Sequence, residues 1–202
     1  MPRSSSSSPP RDLRRALLDA AAALIAEEGP GAVSLREIAR RCGVSHAAPA
    51  HHFGDRAGLL AALAAEGFRG LAAALAAVEG TTARARLVAQ GRAYVAYATS
   101  SPGRFPVMFR TELLDCGDGE LLEARTAAFL ALDEAVRAAQ DEGWAPGADH
   151  DAAVLAAWAS VHGLATLWMD GALPPHLAEG EVQDLAVAVA TLIGSSGGQP
   201  DP

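Results

Sequence analysis

Residues 34–53 constrain the fold of this chain more than any other segment. SLREIARRC is typical of an amphipathic helix that begins at Ser34, with Glu37 at the spacing of a capping box. Gly43 ends that helix, because glycine accepts the left-handed backbone of a tight turn. We expect Ser45 to cap a second, short helix that ends near His52. Two helices joined by such a turn predict a helix-turn-helix.

Helical periodicity extends over the rest of the sequence. Apolar residues recur three and four positions apart, and we find neither a convincing alternating strand nor an internal repeat. The sequence therefore predicts an all-α fold of about nine helices. The expected helices span about 12–28, 34–42, 45–52, 55–78, 82–99, a short helix within 101–110, 119–142, 150–169 and 178–193.

Charge is distributed unevenly along the 202 residues, whose net charge is −8. Residues 1–69 contain nine arginines and seven acidic residues, whereas the remainder contains seven arginines and 17 acidic residues. This asymmetry predicts two parts with different partners, of which the N-terminal part can face phosphate. Two isolated cysteines without a CxxC spacing favour a reducing compartment, so we expect a cytoplasmic protein.

The two ends of the chain and its longest uncharged run need separate interpretation. The Ser/Pro-rich residues 1–10 and the Gly/Pro-containing residues 195–202 are expected to be disordered tails. The first of them has no apolar region typical of a secretory signal. The uncharged run Ala152–Met169 is interrupted by polar and small residues. It predicts a buried helix and no membrane partner.

Two segments resemble the TetR family of transcriptional regulators. SLREIARRCGVSHAAPAHHFGDRAGLL resembles the family's N-terminal domain, and WASVHGLATL resembles a subgroup with a Trp-x-x-x-His-Gly segment in its C-terminal domain. The matching positions of the first segment are Ile38-Ala39, Gly43-Val44-Ser45, His52-Phe53, Arg56 and Leu59-Leu60. The resemblance implies a three-helix DNA-binding domain over 11–56, a linking helix over 56–78, and a ligand-binding and dimerisation domain over 80–194.

The helix-turn-helix provides the candidate DNA contacts. His46 lies near the start of the recognition helix, where base edges are read. The resemblance places His52 on a phosphate, and we expect the same of Arg36 and Arg56. The full set is Ser34, Arg36, Ser45, His46, Ala47, Ala48, His51, His52 and Arg56.

Two other interpretations of this segment remain open. One is a solvated polar turn without a DNA partner. The other is a metal site, because Cys42 and the nearby histidines are acceptable zinc ligands. Adjacent His51 and His52 point to different sides of a helix, however, and no second cysteine or carboxylate completes the set. We therefore expect no metal.

The C-terminal half contains large apolar and polar-tipped side chains on several helices. Such a mixture is typical of a ligand pocket, although ordinary core packing uses the same residues. The candidate ligand contacts are Tyr97, Phe105, Met108, Phe109, Phe129, Trp158 and His162. His162 and Tyr97 are the expected polar anchors of an unknown small apolar or aromatic ligand.

The helices at 150–169 and 178–193 carry apolar residues on more than one face, so each needs two partners. The resemblance implies that they form a four-helix homodimer interface. Together these features predict a dimeric repressor that a small molecule releases from a palindromic operator on double-stranded DNA. An activator or a ligand-independent regulator remains an alternative. So does an enzyme, although Ser160 and His162 lack a third catalytic partner. No cofactor is expected.

Overall fold

The computed structural model describes residues 10–195 of the chain, with the side chains of residues 13–193. Within these residues it contains ten α-helices and no strand, which confirms the all-α prediction. The predicted disordered tails, 1–10 and 195–202, lie outside the described residues apart from Pro10 and Ser195. Those two residues are the first and last residues of helices.

The helices follow one another with short connections. They are α1 (Pro10–Glu28), α2 (Leu35–Cys42), α3 (Ala47–Phe53), α4 (Arg56–Ala76), α5 (Ala83–Ser100), α6 (Phe105–Met108), α7 (Gly119–Asp141), α8 (His150–Met169), α9 (Pro175–Ala178) and α10 (Val182–Ser195). The count exceeds the predicted nine because the segment before α10 forms α9. Proline at the first position of a helix has a suitable backbone angle and lacks an N–H that would be unpaired there.

Local caps define several helix starts. The Ser34 hydroxyl accepts a hydrogen bond from the Glu37 amide at 3.2 Å, and Thr82 caps α5 in the same way. The Asp55 carboxylate accepts from the Gly58 amide at 2.9 Å and so caps α4. These contacts span three residues and satisfy amides that have no partner within the helix.

The chain divides into two compact units. The first unit comprises the chain up to Gly67 together with Pro102–Glu123. Its core contains side chains from α1, α2 and α4, such as Leu17, Ile38 and Leu60, which are fully buried.

The segment around α6 belongs to the first unit because it packs closely there. A Cβ atom on Gly103 would lie only 2.1 Å from the Ala22 carbonyl oxygen. Arg104 forms ion pairs with Asp19 at 3.0 Å and with Glu66 at 3.2 Å, and so connects α1 with α4. The domain limits predicted from the sequence, 11–56 and 80–194, are not tested by this division and stay a prediction.

The second unit comprises Phe68–Ser101 and the chain from Ala124 onward. Helix α5 packs against both α8 and α10. Gly91 permits this approach, because a Cβ atom there would lie 2.9 Å from the Ala190 side chain and 3.2 Å from that of Val161. The Trp144 indole donates to the Ile193 carbonyl at 2.8 Å and holds the loop after α7 to the end of α10.

Two helices, α4 and α8, are long and apolar enough to cross a membrane when judged by length and composition only. Their apolar windows are 61% and 33% buried within the protein, respectively. Core helices of globular proteins meet the same criteria, so length and apolarity alone are weak evidence for a membrane span.

Candidate functional site

The turn between α2 and α3 has the predicted geometry. Gly43 adopts the left-handed conformation, with φ of 66° and ψ of 30°, and it closes α2. The Val44 amide donates to the Ala39 carbonyl at 3.0 Å, which satisfies a carbonyl at the helix end. A side chain at position 43 would be strained by this backbone angle, so the sharp turn depends on glycine.

The start of α3 differs from the prediction. Ser45 does not cap the helix with its side chain; α3 begins at Ala47, after His46, and has no side-chain cap. The Ser45 carbonyl accepts from the Ala48 amide at 3.0 Å. The late start has a physical reason, because Pro49 has no N–H and restricts the backbone of the residue before it.

Pro49 anchors α3 instead of weakening it. Its ring is fully buried, whereas Ala47, Ala50 and His51 are exposed. The exposed positions are three and four residues apart and therefore share one face of the helix. Helix α3 thus presents a narrow face of small side chains next to His46 and His51, in the position of a recognition helix.

The structure places the nine predicted DNA residues around this turn. Six are exposed, namely Ser34, Arg36, Ser45, His46, Ala47 and His51. Three are half-buried, namely Ala48, His52 and Arg56. Their contact with DNA stays a prediction.

Glu37 has a different role from the one expected of a capping box. Its carboxylate pairs with Arg40 at 2.6 Å and with Arg41 at 3.1 Å, and Arg41 also pairs with Glu27 at 2.8 Å. Hydrogen bonds from Arg40 and Arg41 lower the pKa of Glu37 to about 2. The positive charges of Arg40 and Arg41 are therefore compensated by nearby carboxylates. Arg36 has no ion pair within the described part of the chain.

Arg56 is held by backbone carbonyls. Its Nε donates to the Val33 carbonyl at 2.9 Å, and its Nη2 donates to the Pro30 carbonyl at 2.8 Å. These bonds hold the start of α4 against the connection between α1 and α2. Two of the five N–H donors of the guanidinium are thus used within the protein.

The residues considered for a metal site are not grouped as ligands. Across residues 10–195, no three histidine, cysteine or acidic side chains are placed so that they could hold a metal ion. The Cys42 thiol donates to the Ala16 carbonyl at 3.5 Å. Burial raises the pKa of this thiol, which disfavours the thiolate that a metal would bind.

The seven predicted ligand residues fall into both units. Phe105 and Met108 are buried in the first unit, where the Phe105 and Phe109 rings pack edge to face with centroids 5.4 Å apart. Phe129, on α7, is 48% exposed. Tyr97, Trp158 and His162 belong to the second unit.

In the second unit, Tyr94 connects two of the predicted residues. Its hydroxyl lies 2.8 Å from His162 Nδ1 and accepts from the Trp158 indole at 3.3 Å. The sequence predicts His162 and Tyr97 as polar anchors, and the structure joins His162 to Tyr94 by a hydrogen bond. Burial raises the pKa of Tyr94 and lowers the pKa of His162, so both groups are held in their neutral forms near pH 7.

Sequence reasoning missed Gln90, which is only 2% exposed. It lies on α5 among buried residues at helical spacing, including Leu87 and Tyr94. The sequence signal that could have identified Gln90 is its position as a polar residue within the apolar stripe of α5. An open groove of about 650 Å³ lies elsewhere on the second unit, and none of the seven predicted residues lines it.

Comparisons with known proteins agree with this architecture. Residues 17–63 match the family model described as bacterial regulatory proteins of the tetR family. Residues 87–191 match the model described as the tetracyclin repressor-like C-terminal domain. None of the curated proteins matches the chain. The Trp-x-x-x-His-Gly subgroup stays a prediction.

Several solved structures are similar to the whole chain. A Rhodococcus sp. RHA1 protein of unknown function has 32% sequence identity and a TM-score of 0.79; the match covers 98% of this chain and 100% of that one. PfmR, a TetR-family transcriptional regulator from Thermus thermophilus, has 24% identity and a TM-score of 0.70, over 88% and 96% of the chains. FadR from Bacillus halodurans, a fatty acid degradation regulator, has 16% identity and a TM-score of 0.70, over 90% and 97%.

At identities below 25%, PfmR and FadR support the fold only. The family models carry the assignment, since the C-terminal model alone covers more than half of the chain and the N-terminal model covers the helix-turn-helix. Members of this family are transcription factors and not enzymes. The helix-turn-helix and the two matched regions identify the chain as a member of the TetR family of DNA-binding transcriptional regulators.

Proposed function

We propose that this protein is a homodimeric repressor that binds a palindromic operator and is released by a small molecule. The observation that carries the proposal is the geometry of α3, which buries Pro49 and exposes His46 and His51 beside a flat alanine face. Such a helix fits the major groove, where small side chains permit close approach and alanine can contact a thymine methyl. Binding to operator DNA would place the protein in the cytoplasm.

Charge around the turn supports a specific distribution of roles. Arg36 is exposed and not paired within the described chain, so it is the arginine best suited to a phosphate. His46 and His51 carry hydrogen-bonding groups on an otherwise apolar surface. We therefore expect these two histidines to read bases and Arg36 to contribute affinity that depends on salt.

Dimerisation is supported by apolar residues that α8 and α10 expose. Leu155 and Leu167 on α8 are 60% and 47% exposed, and Val187 and Leu192 on α10 are 40% and 69% exposed. A second copy of the chain would cover them in a two-fold interface. The two recognition helices of such a dimer would lie about one DNA turn apart, so the operator that they fit would be a palindrome.

Release by a ligand would be a shift between two states of the dimer. A molecule that prefers the state with more widely spaced recognition helices weakens operator binding by its difference in affinity for the two states. The neutral Tyr94–His162 pair in an apolar setting supports a ligand site in the second unit. An activator or a ligand-independent regulator would show no ligand-dependent loss of operator binding.

Fluorescence anisotropy with the intergenic DNA upstream of the protein's own gene tests the proposal. We expect specific binding that weakens steeply as salt is raised. The double variant His46→Ala/His51→Ala should lose its preference for operator over unrelated DNA. Absence of specific binding, or of a salt dependence, would contradict the proposal.

Sedimentation of two aspartate variants tests the dimer. Leu155→Asp should dissociate it, because the charge would be buried in the interface. Leu122→Asp is the matched control, because Leu122 is 52% exposed but lies on α7. A dimeric Leu155→Asp protein would exclude the α8 surface from the interface.

A further inference from the structure

Gln90 is a buried polar residue with one unsatisfied atom. Its side chain is only 2% exposed and places an amide among buried, mainly apolar residues. Its Nε2 donates to the Leu75 carbonyl at 3.2 Å, which fixes the orientation of the amide. Its Oε1 has no hydrogen-bond partner among the described residues. Buried acceptors in folded proteins are nearly always paired, so this oxygen requires an explanation.

Gln90 lies in line with two tyrosines on α5. Tyr94 and Tyr97 follow it by four and seven residues and therefore lie on the same side of the helix. Tyr94 is joined to His162, and the Tyr97 ring packs where a Cβ atom on Gly70 would lie. A row of polar groups thus runs through an otherwise apolar interior, which is the composition of a small-molecule site.

We propose that Gln90 Oε1 accepts a hydrogen bond from the effector of this regulator, and that this effector is a neutral, mainly apolar molecule with a hydroxyl or amide N–H donor. The inference rests on the proposed ligand-released repressor and adds the chemistry of its ligand. A donor on the ligand would satisfy this oxygen, which is the one buried side-chain acceptor without a hydrogen-bond partner among the described residues. A buried acceptor without a partner costs free energy, and a hydrogen bond from the ligand would remove that cost.

The surroundings of Gln90 favour a neutral ligand over an acid or an amine. The buried residues of the described chain include no arginine, lysine, aspartate or glutamate. Burial lowers the pKa of His162, so its imidazole provides no positive charge at neutral pH. A charged group placed there would lose its hydration without gaining an opposite charge. The aromatic side chains of Tyr94 and Trp158 favour a ligand that contains a ring.

A matched set of small aromatic probes tests the inference. Calorimetric titration of the full-length protein, without DNA, would compare 4-propylphenol with 4-propylanisole and 4-propylbenzoate. The anisole lacks the donor, and the benzoate is charged. We expect saturable binding of the phenol and about tenfold weaker binding of the anisole, the factor that one hydrogen bond to a neutral partner supports. The benzoate should also bind at least about tenfold more weakly than the phenol, because its charge would lose hydration.

Two variants locate the binding. Gln90→Met keeps the length of the side chain but removes the acceptor, and it should weaken phenol binding about five- to tenfold while leaving anisole binding unchanged. Gln183→Met is the matched control, because Gln183 is a half-buried glutamine of the same unit. It should bind the phenol as the wild type does. Circular dichroism would check that both variants are folded.

Three results would overturn the inference: no saturable phenol binding, equal binding of phenol and anisole, or unchanged phenol binding by Gln90→Met. Either of the last two results would mean that the ligand does not bind this oxygen, which would then contact a buried water molecule or apolar side chains. The comparison of phenol with anisole uses wild-type protein, so it decides the matter even if Gln90→Met does not fold. Operator binding by the same preparation is measured separately, and its failure would overturn the repressor proposal while the titration still tests Gln90.

Discussion

Replacement of Arg56 by methionine separates two roles for this arginine. The sequence assigns Arg56 to a DNA phosphate, whereas the structure shows its guanidinium bonded to the Val33 and Pro30 carbonyls at 2.9 and 2.8 Å. Methionine keeps much of the apolar length of the side chain but removes both donors. Hydrogen bonds from a charged donor contribute about 1.5–3 kcal/mol each when buried. Because Arg56 is half-buried, we expect the substitution to lower the free energy of unfolding by about 2–4 kcal/mol in total.

This loss can be measured by thermal unfolding at a fixed protein concentration. For a chain of this size, about 2–4 kcal/mol corresponds to a decrease in Tm of roughly 4–16 °C. Arg36→Met is the matched control, because Arg36 is exposed and has no ion pair in the described chain. We expect its Tm to be unchanged within about 1 °C, since surface substitutions change stability little.

In a salt titration of operator binding, we expect Arg36→Met to differ from the wild type and Arg56→Met to behave like it. Arg36→Met should reduce the slope of log K against log salt by about 0.9 for each lost phosphate contact, or about 1.8 for a dimer. Arg56→Met, measured below its Tm, should keep the wild-type slope. If Arg56→Met has an unchanged Tm and a reduced slope, Arg56 is a phosphate contact and its carbonyl bonds contribute little. That result would refute a structural role for Arg56.

Three further predictions concern stability. Gly103→Ala should lower the free energy of unfolding, measured in urea, by about 1–3 kcal/mol, because the new Cβ atom would meet the Ala22 backbone. Gly119→Ala is the control: a Cβ atom there has open space, so the free energy should change little. Trp144→Phe should cost about 1–2 kcal/mol through the lost indole bond to the Ile193 carbonyl, and an unchanged urea midpoint would contradict that. The pKa of Glu37 is lowered from its usual 4.5 to about 2 in the folded state. The wild type should therefore be more stable than Glu37→Gln by its full margin above pH 4.5. That margin should decrease as pH falls through about 2. A pH-independent difference between those two proteins would show that the Glu37 pairs do not persist in solution.

Features fixed by neighbouring residues were predictable from the sequence. The turn at Gly43, the cap at Ser34 and the cap at Asp55 each depend on contacts within about four residues. Apolar spacing likewise predicted the helices, because burial of one face needs only the right period. The start of α3 was predicted less well, since Ser45 was a good cap by type but Pro49 shifted the helix start.

Tertiary contacts decided the roles of several side chains. The sequence does not show which acid an arginine will meet, and Arg41 pairs with Glu27 as well as with Glu37. It does not show that Arg56 reaches carbonyls 23 and 26 residues away. These partners come together only after α1, α2 and α4 have packed.

The same division applies to the two candidate sites. The sequence by itself determined the helix-turn-helix and the chemical character of its recognition helix, because both are written in local spacing and in side-chain type. Only the tertiary structure decided that Pro49 is the buried anchor of that helix and that the Gln90 side-chain oxygen is buried without a partner among the described residues. Burial and hydrogen-bond satisfaction depend on which helices meet, and a single helix carries no information about its neighbours.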